Sequence, residues 1–225
     1  MAASSLAAPL ADRLVAACAA AVPVTGVGLI LMTDDGPAGV VAASDDAAAT
    51  MEQLQFSLGE GPCVDSSVTG RPALHPELAR TGPHRWPLFS SAALQAGIGA
   101  IYALPLRVGA IRLGVLDLYR DKPGHLTDDQ LAEALSFADV ATTILLHGET
   151  RSPPPGGAER DWLDDVIGHR RVVHQATGFL AVQARIGLAE ALALLRAKSF
   201  SAGRSIEEVA RDVVDGTLRL NDDDA

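Results

Sequence analysis

The sequence lacks most of what would place it among membrane proteins, disulfide scaffolds or metal enzymes. It has two cysteines, Cys18 and Cys63, too few for a disulfide framework or a cysteine-built zinc site, and a reducing cytoplasm is the setting this predicts. No apolar run reaches the roughly 20 residues of a membrane span, because charges, glycine or proline interrupt each one. There is no surplus of basic charge. Lys and Arg number 18 against 28 Asp and Glu, a net charge of -10, which excludes a protein that coats nucleic acid over its whole surface. No carboxylate pair, nucleophile with a neighbouring base or Gly-rich phosphate loop stands out. Nothing therefore points to an enzyme, a cofactor or a metal. His75, His84 and His125 lie among Pro and Gly without ligand spacing and read as solvated loop histidines.

What is present is apolar content, 48% of 225 residues, enough for one large core or two smaller ones. The N-terminus contains Val15-Ala16-Ala17-Cys18, which has the form of a lipoprotein cleavage site. No Lys or Arg precedes the apolar stretch, however, and Asp12-Arg13 interrupts it. The segment reads instead as a helix over 5–21 with Leu6, Leu10, Leu14 and Ala17 on one face.

Arg151-Ser152-Pro153-Pro154-Pro155-Gly156-Gly157 is the clearest boundary, since it has little to bury and few backbone donors. It divides the chain into a domain over 1–150, a linker over 151–158, a second domain over 159–220 and an acidic tail over 221–225. The first part holds 8 basic and 16 acidic residues, the remainder 10 and 12. In the first part, Thr25–Met32 reads as a buried strand, Asp34-Asp35-Gly36 as a turn and Gly39–Ala43 as a returning strand. The longest hairpin candidate joins Ile98–Val108 to Ala110–Tyr119. A helix then begins at Thr127, capped with Gln130 and carrying Leu131, Leu135, Ala138 and Leu145 as its stripe. Short-loop hairpins with helices at the ends imply an α+β domain with an antiparallel sheet. A parallel receiver domain with Asp34-Asp35 as its acidic pocket does not fit that order.

Beyond the linker the pattern is entirely helical. Trp162, Leu163, Val166, Ile167, Val173, Ala176 and Leu180 trace one long helix, and Leu188, Ala191, Leu192 and Leu195 a second. Ser205-Ile206-Glu207-Glu208 opens a third, which continues through Val209, Val213 and Leu218. Three helices with short connections make an all-α bundle. Its charge runs against the rest of the chain: between positions 170 and 204 stand Arg170, Arg171, Arg185, Arg196, Lys198 and Arg204 against the single acid Glu190. Attraction to a polyanion explains such a local reversal.

His174-Gln175-Ala176-Thr177-Gly178, Glu190-Ala191-Leu192-Ala193-Leu194-Leu195-Arg196 and Val209-Ala210-Arg211-Asp212-Val213-Val214, in that order and spacing, resemble the ANTAR domain. Upstream, Leu58-Gly59-Glu60-Gly61-Pro62-Cys63, Gly70-Arg71-Pro72 and the strand Leu113–Tyr119 resemble the GAF domains that precede ANTAR modules in actinobacterial regulators. The resemblance implies a GAF-like sensory domain followed by a three-helix RNA-binding module that prevents transcription termination. It further implies a cytoplasmic homodimer, with two RNA hairpins as partner and RNA polymerase approached only indirectly. Ser199 stands where the family usually has Ala, and Thr177 where many relatives carry Lys.

The RNA-binding residues predicted on this basis are Arg170, Arg171, His174, Gln175, Thr177, Gly178, Arg185, Lys198 and Arg204. Cations hold phosphates, while amide, imidazole and hydroxyl groups address unstacked bases. Cys63, Trp86 and Asp117 mark the candidate pocket for an unidentified small ligand. Read alone, Cys63 is a buried inert thiol and Trp86 a packing residue. Two other functions fit the sequence less well. A DNA-binding helix-turn-helix needs basic residues where the third helix opens with Glu207 and Glu208. A ligand-binding GAF protein whose bundle only dimerises leaves the basic cluster without a use.

Overall fold

The computed structural model describes residues 7–33, 36–150 and 161–218, with the side chains of 7–9, 147–150 and 161–170 excepted. It divides into two compact units, residues 1–164 and 165–225. The expected linker, the acidic tail, and Asp34 and Asp35 of the expected turn lie outside the described residues.

The first unit opens with α1 (Ala7–Ala21), then β1 (Gly26–Thr33) and β2 (Gly36–Ala43). Four helices follow: α2 (Asp46–Leu58), α3 (Pro62–Thr69), α4 (Leu78–Arg85) and α5 (Pro87–Gln95), with the short strand β3 (Ala73–His75) after α3. The strands β4 (Ala100–Val108) and β5 (Ile111–Arg120) and the helix α6 (Asp128–Thr150) complete it. All pairings are antiparallel, in the order β2-β1-β5-β4-β3. Helices cover both faces, and for that reason β1 and β5 read as nearly unbroken apolar runs. The pleat sends Asp117 and Tyr119 toward α2, where they bond Gln55 and Glu52. Gly114, of opposite parity, faces Leu145 of α6.

The expected hairpins are present, as is the capping of α6, where the Thr127 amide donates to Gln130 Oε1 at 2.9 Å and the Gln130 amide to Thr127 Oγ1 at 3.3 Å. The apolar faces of the two long helices are rotated from expectation. In α1 the buried residues are Ala11, Leu14, Val15 and Cys18, while Leu10 is 41% exposed. In α6 they are Ala134, Ala138, Ala141 and Leu145, and Leu135 is exposed. The two helices pack on each other, and their buried faces are rich in alanine, with Leu14 and Leu145 inside and Leu10 and Leu135 outside. His75, expected in a solvated loop, is instead buried in β3, where its Nδ1 lies 3.0 Å from Thr81 Oγ1 and its ring meets Trp86 edge-on.

The second unit comprises α7 (Asp161–Ala184), α8 (Leu188–Ala202) and α9 (Ile206–Val214). The chain turns by 109° between α7 and α8. Gly203, at φ 60°, ends α8 in the left-handed conformation that glycine adopts without steric cost. Ser205 and Glu208 form the expected capping box on α9. The core consists of Val173, Ala176 and Leu180 from α7, Ala191 and Leu195 from α8, and Ile206, Val209, Ala210 and Val213 from α9. Leu188, expected on the apolar stripe of the second helix, is 65% exposed. Among the described residues no single helix is long and apolar enough to cross a membrane.

Candidate functional site

In the first unit the polar chemistry is concentrated under α2. That helix begins at Asp45, whose Oδ1 accepts from the Ala48 amide at 2.9 Å, and it ends at Gly59. Between these caps, Glu52 and Gln55 occupy the buried face at 0% exposure, one turn apart. They meet Asp117 and Tyr119 of β5. Gln55 Nε2 donates to Asp117 Oδ2 at 3.0 Å and to Tyr119 Oη at 3.1 Å, while Tyr119 Oη donates to Glu52 Oε1 at 2.8 Å. Gln55 Oε1 accepts from the Cys63 amide at 2.9 Å, which ties the start of α3 into the same network.

Two glycines make the room. Gly28, opposite Asp117 in the β1–β5 register, has no side chain where a Cβ would overlap the Glu52 carboxyl. A Cβ on Gly61 would lie 2.5 Å from Gln55 Oε1, and its φ of 141° is one that glycine tolerates.

Burial raises the pKa of every acid in this cluster, since it penalises the charged form. Glu52 is pushed well above the carboxylate range by burial and then by the charge of Asp117. Burial brings Asp117 to about 7, an effect moderated by hydrogen bonds from Gln55 and Glu52. Burial therefore favours the protonated form of both carboxyls, of Glu52 above all. Glu52 Oε2 and Asp117 Oδ1 have no hydrogen-bond partner among the described residues.

Of the three residues expected in a ligand pocket, Cys63 and Asp117 are brought together in this cluster. Trp86 belongs to the adjoining apolar core with Met51, Phe89 and Tyr119, its ring 4.6 Å from His75 and 5.2 Å from the Arg85 guanidinium carbon. All three are closed to solvent at 0%, 0% and 3% exposure. The Cys63 thiol is held protonated by burial and the nearby acids. Glu52, Gln55 and Tyr119 were missed by the sequence reading. The signal available was Glu and Gln three apart in the segment that leads into Gly59-Glu60-Gly61-Pro62.

In the second unit the buried side of α7 is Val173, Ala176, Thr177 and Leu180, and the opposite side exposes Arg171, His174 and Gln175. Gly178 continues that exposed side, with nothing within 4 Å of where a Cβ would stand. Its backbone is thus open to an incoming group instead of being packed on another helix.

Thr177 requires correction. It was expected on the RNA-facing side, but it is 5% exposed and its hydroxyl donates to the Val173 carbonyl at 2.7 Å. Two residues on from Gln175 and one short of Gly178, it turns into the core. Arg204 is likewise committed elsewhere: Nη1 donates to Asp212 Oδ2 at 2.7 Å and Nε lies 3.9 Å from Glu208. It fastens the α8–α9 corner, together with Ser199 Oγ, which donates to the Arg204 carbonyl at 2.6 Å.

Arg185 is exposed at the end of α7 with φ 56°, a strained value for a residue with a side chain. Lys198 is half-buried on α8, and the Arg170 side chain lies outside the described residues. Two residues outside the predicted RNA-binding set stand out. Phe179 exposes half its surface beside Gly178. Arg196 is half-buried with an Nε that has no hydrogen-bond partner among the described residues, and burial lowers its pKa.

Comparison with known proteins places both units. The GAF domain family matches residues 7–145 and the ANTAR domain family residues 163–214. No curated protein matches the chain. Among solved structures, the first unit is similar to a GAF domain/HD domain protein from Geobacter sulfurreducens, with TM-score 0.53, 9% identity, and 68% of this chain and 100% of that one covered. It is also similar to the GAF domain of an Acinetobacter phosphoenolpyruvate-protein phosphotransferase, with TM-score 0.52, 12% identity, and coverage of 67% and 89%. At such identities the likeness establishes the fold alone. ANTAR domains are RNA-binding modules of antitermination regulators, and GAF domains are sensors. By the family matches, the chain belongs to the GAF domain family and carries an ANTAR domain C-terminal to its GAF domain.

Proposed function

We propose that this protein is a signal-responsive, non-enzymatic transcription antiterminator that binds paired RNA hairpins through α7. The observation that carries the reading is the exposed face of that helix within an ANTAR module. Arg171, His174, Gln175 and Gly178 present a cation, two base-reading groups and open backbone along about two turns. Phe179 adds an aromatic surface next to them, suited to an unstacked base. Arg170 precedes Arg171 in the chain and supplies a second cation for phosphate.

In this reading the GAF domain senses a small molecule, the protein acts in the cytoplasm as a homodimer, and RNA polymerase responds to the RNA structure without being bound directly. Two modules on two hairpins gain from effective concentration only where their spacing matches the RNA. Gel shifts of the full chain with a paired-hairpin RNA and with duplex DNA of equivalent sequence test it. The expected result is a shift with the RNA that excess duplex DNA does not displace. Preference for the duplex would overturn the proposal.

A further inference from the structure

The end of the β4–β5 hairpin concentrates positive charge without neutralising it. The register sets Arg107 directly opposite Arg112, and like charges in that position repel. Residues 1–150 contain 16 acids for 8 basic residues, yet neither arginine has an ion pair among the described residues. Arg107 is fixed in place. Its Nη1 donates to the Gly70 carbonyl at 3.2 Å, and its Nε and Nη2 donate to the Gly109 carbonyl at 3.0 and 2.8 Å. A side chain on Gly70 would overlap that guanidinium. Three of its five N–H groups are used in this way, which leaves two. Arg112 is exposed and makes no hydrogen bond among the described residues.

Beside the pair, at the C-terminal turn of α3, lies a cleft of ≈ 190 Å³ whose walls include Ser67, Thr69, Gly70, Arg107 and Arg112. Ser67 is 4% exposed, and its hydroxyl has no partner among the described residues. The cleft thus gathers one fixed guanidinium, one guanidinium without a partner among the described residues and one hydroxyl, each able to donate a hydrogen bond.

We infer that this cleft binds a small phosphate-bearing ligand, held by Arg112 and the two unused N–H groups of Arg107, with Ser67 donating a further hydrogen bond. The planar fork of a guanidinium matches phosphate oxygens, and two guanidiniums offset the double charge of a phosphate monoester. The negative end of α3 does not stand against it, because Arg107 already covers the Gly70 carbonyl. The site is separate from the Glu52–Asp117 cluster and does not depend on RNA binding.

Amide spectra of the 15N-labelled full chain, titrated with inorganic phosphate and in parallel with acetate at equal ionic strength, test the inference. The expected result is a saturable shift confined to residues 67–70 and 105–114, at least about tenfold weaker with acetate. Arg112→Ala abolishes saturation and Ser67→Ala weakens it severalfold. Arg112 is exposed, so its variant keeps the test valid even if Ser67→Ala fails to fold. Shifts spread equally over every exposed arginine, an acetate response equal to that of phosphate, or an Arg112→Ala protein that responds like the wild type would each overturn it.

Discussion

Asp117 and Glu52 set the pH response of the first unit. Asp117 rises from an ordinary carboxylate value of 3.8 when unfolded to about 7 when folded. Its stabilising contribution is therefore complete below about pH 4 and is lost as pH climbs through about 7, because losing the proton leaves a charge in a buried site. His75 acts with the opposite sign. Burial lowers its pKa, so it weakens the fold as pH falls. Thermal unfolding of the full chain from pH 5.5 to 8.5 separates the two: the wild type loses stability toward the alkaline end, and Asp117→Asn flattens that loss. At pH 8.5 the variant is the more stable protein by on the order of 2 kcal/mol, since an amide oxygen still accepts from Gln55 without a buried charge. A second prediction concerns Thr177. With its hydroxyl spent on Val173, Thr177→Val leaves RNA affinity within about twofold of wild type by gel shift, since the change removes no exposed group. A loss of tenfold would return Thr177 to the RNA face.

At the scale of the element, α7 is where function was legible and α2 where it was not. The helical period in α7 is set by small and aliphatic residues, and the basic and polar groups fall between them, so the exposed face could be read except where Thr177 turns inward. In α2 the residues that matter interrupt the apolar stripe. Glu52 and Gln55 point into the core, so the periodicity that reveals a helix is broken by the polar groups it buries. The helices α3 and α4 were also missed. Each is only eight residues long, α3 starts with proline, and α4 contains Pro83. The capping boxes at Thr127 and Ser205 were found because a cap is a local chemical pattern that packing does not alter. Phe179 was overlooked because an aromatic in a helix is ordinarily core; only the fold places it half in solvent. As a stacking surface its removal is measurable: Phe179→Ala weakens hairpin RNA binding by about 1–3 kcal/mol with unchanged helicity by circular dichroism. Unchanged affinity would confine the interface to Arg171, His174, Gln175 and Gly178.

At the scale of the whole molecule, charge is divided between the two parts of the chain. The net charge of -10 belongs mainly to residues 1–150, with 8 basic against 16 acidic residues, while residues 151–225 hold 10 against 12. An acidic sensory domain resists indiscriminate binding to nucleic acid, so contact depends on a few cations in the right geometry. Arg204 is tied to Asp212 and is not among those cations, which places more weight on the start of the α7 face. The salt dependence of paired-hairpin RNA binding, compared between the full-length wild type and an Arg170→Ala, Arg171→Ala variant, tests this most directly. The account predicts at least tenfold weaker binding by the variant and a slope of log affinity on log salt reduced by about 1.4, two lost phosphate contacts at about 0.7 each. Equal affinity and equal slope in the two proteins would contradict it.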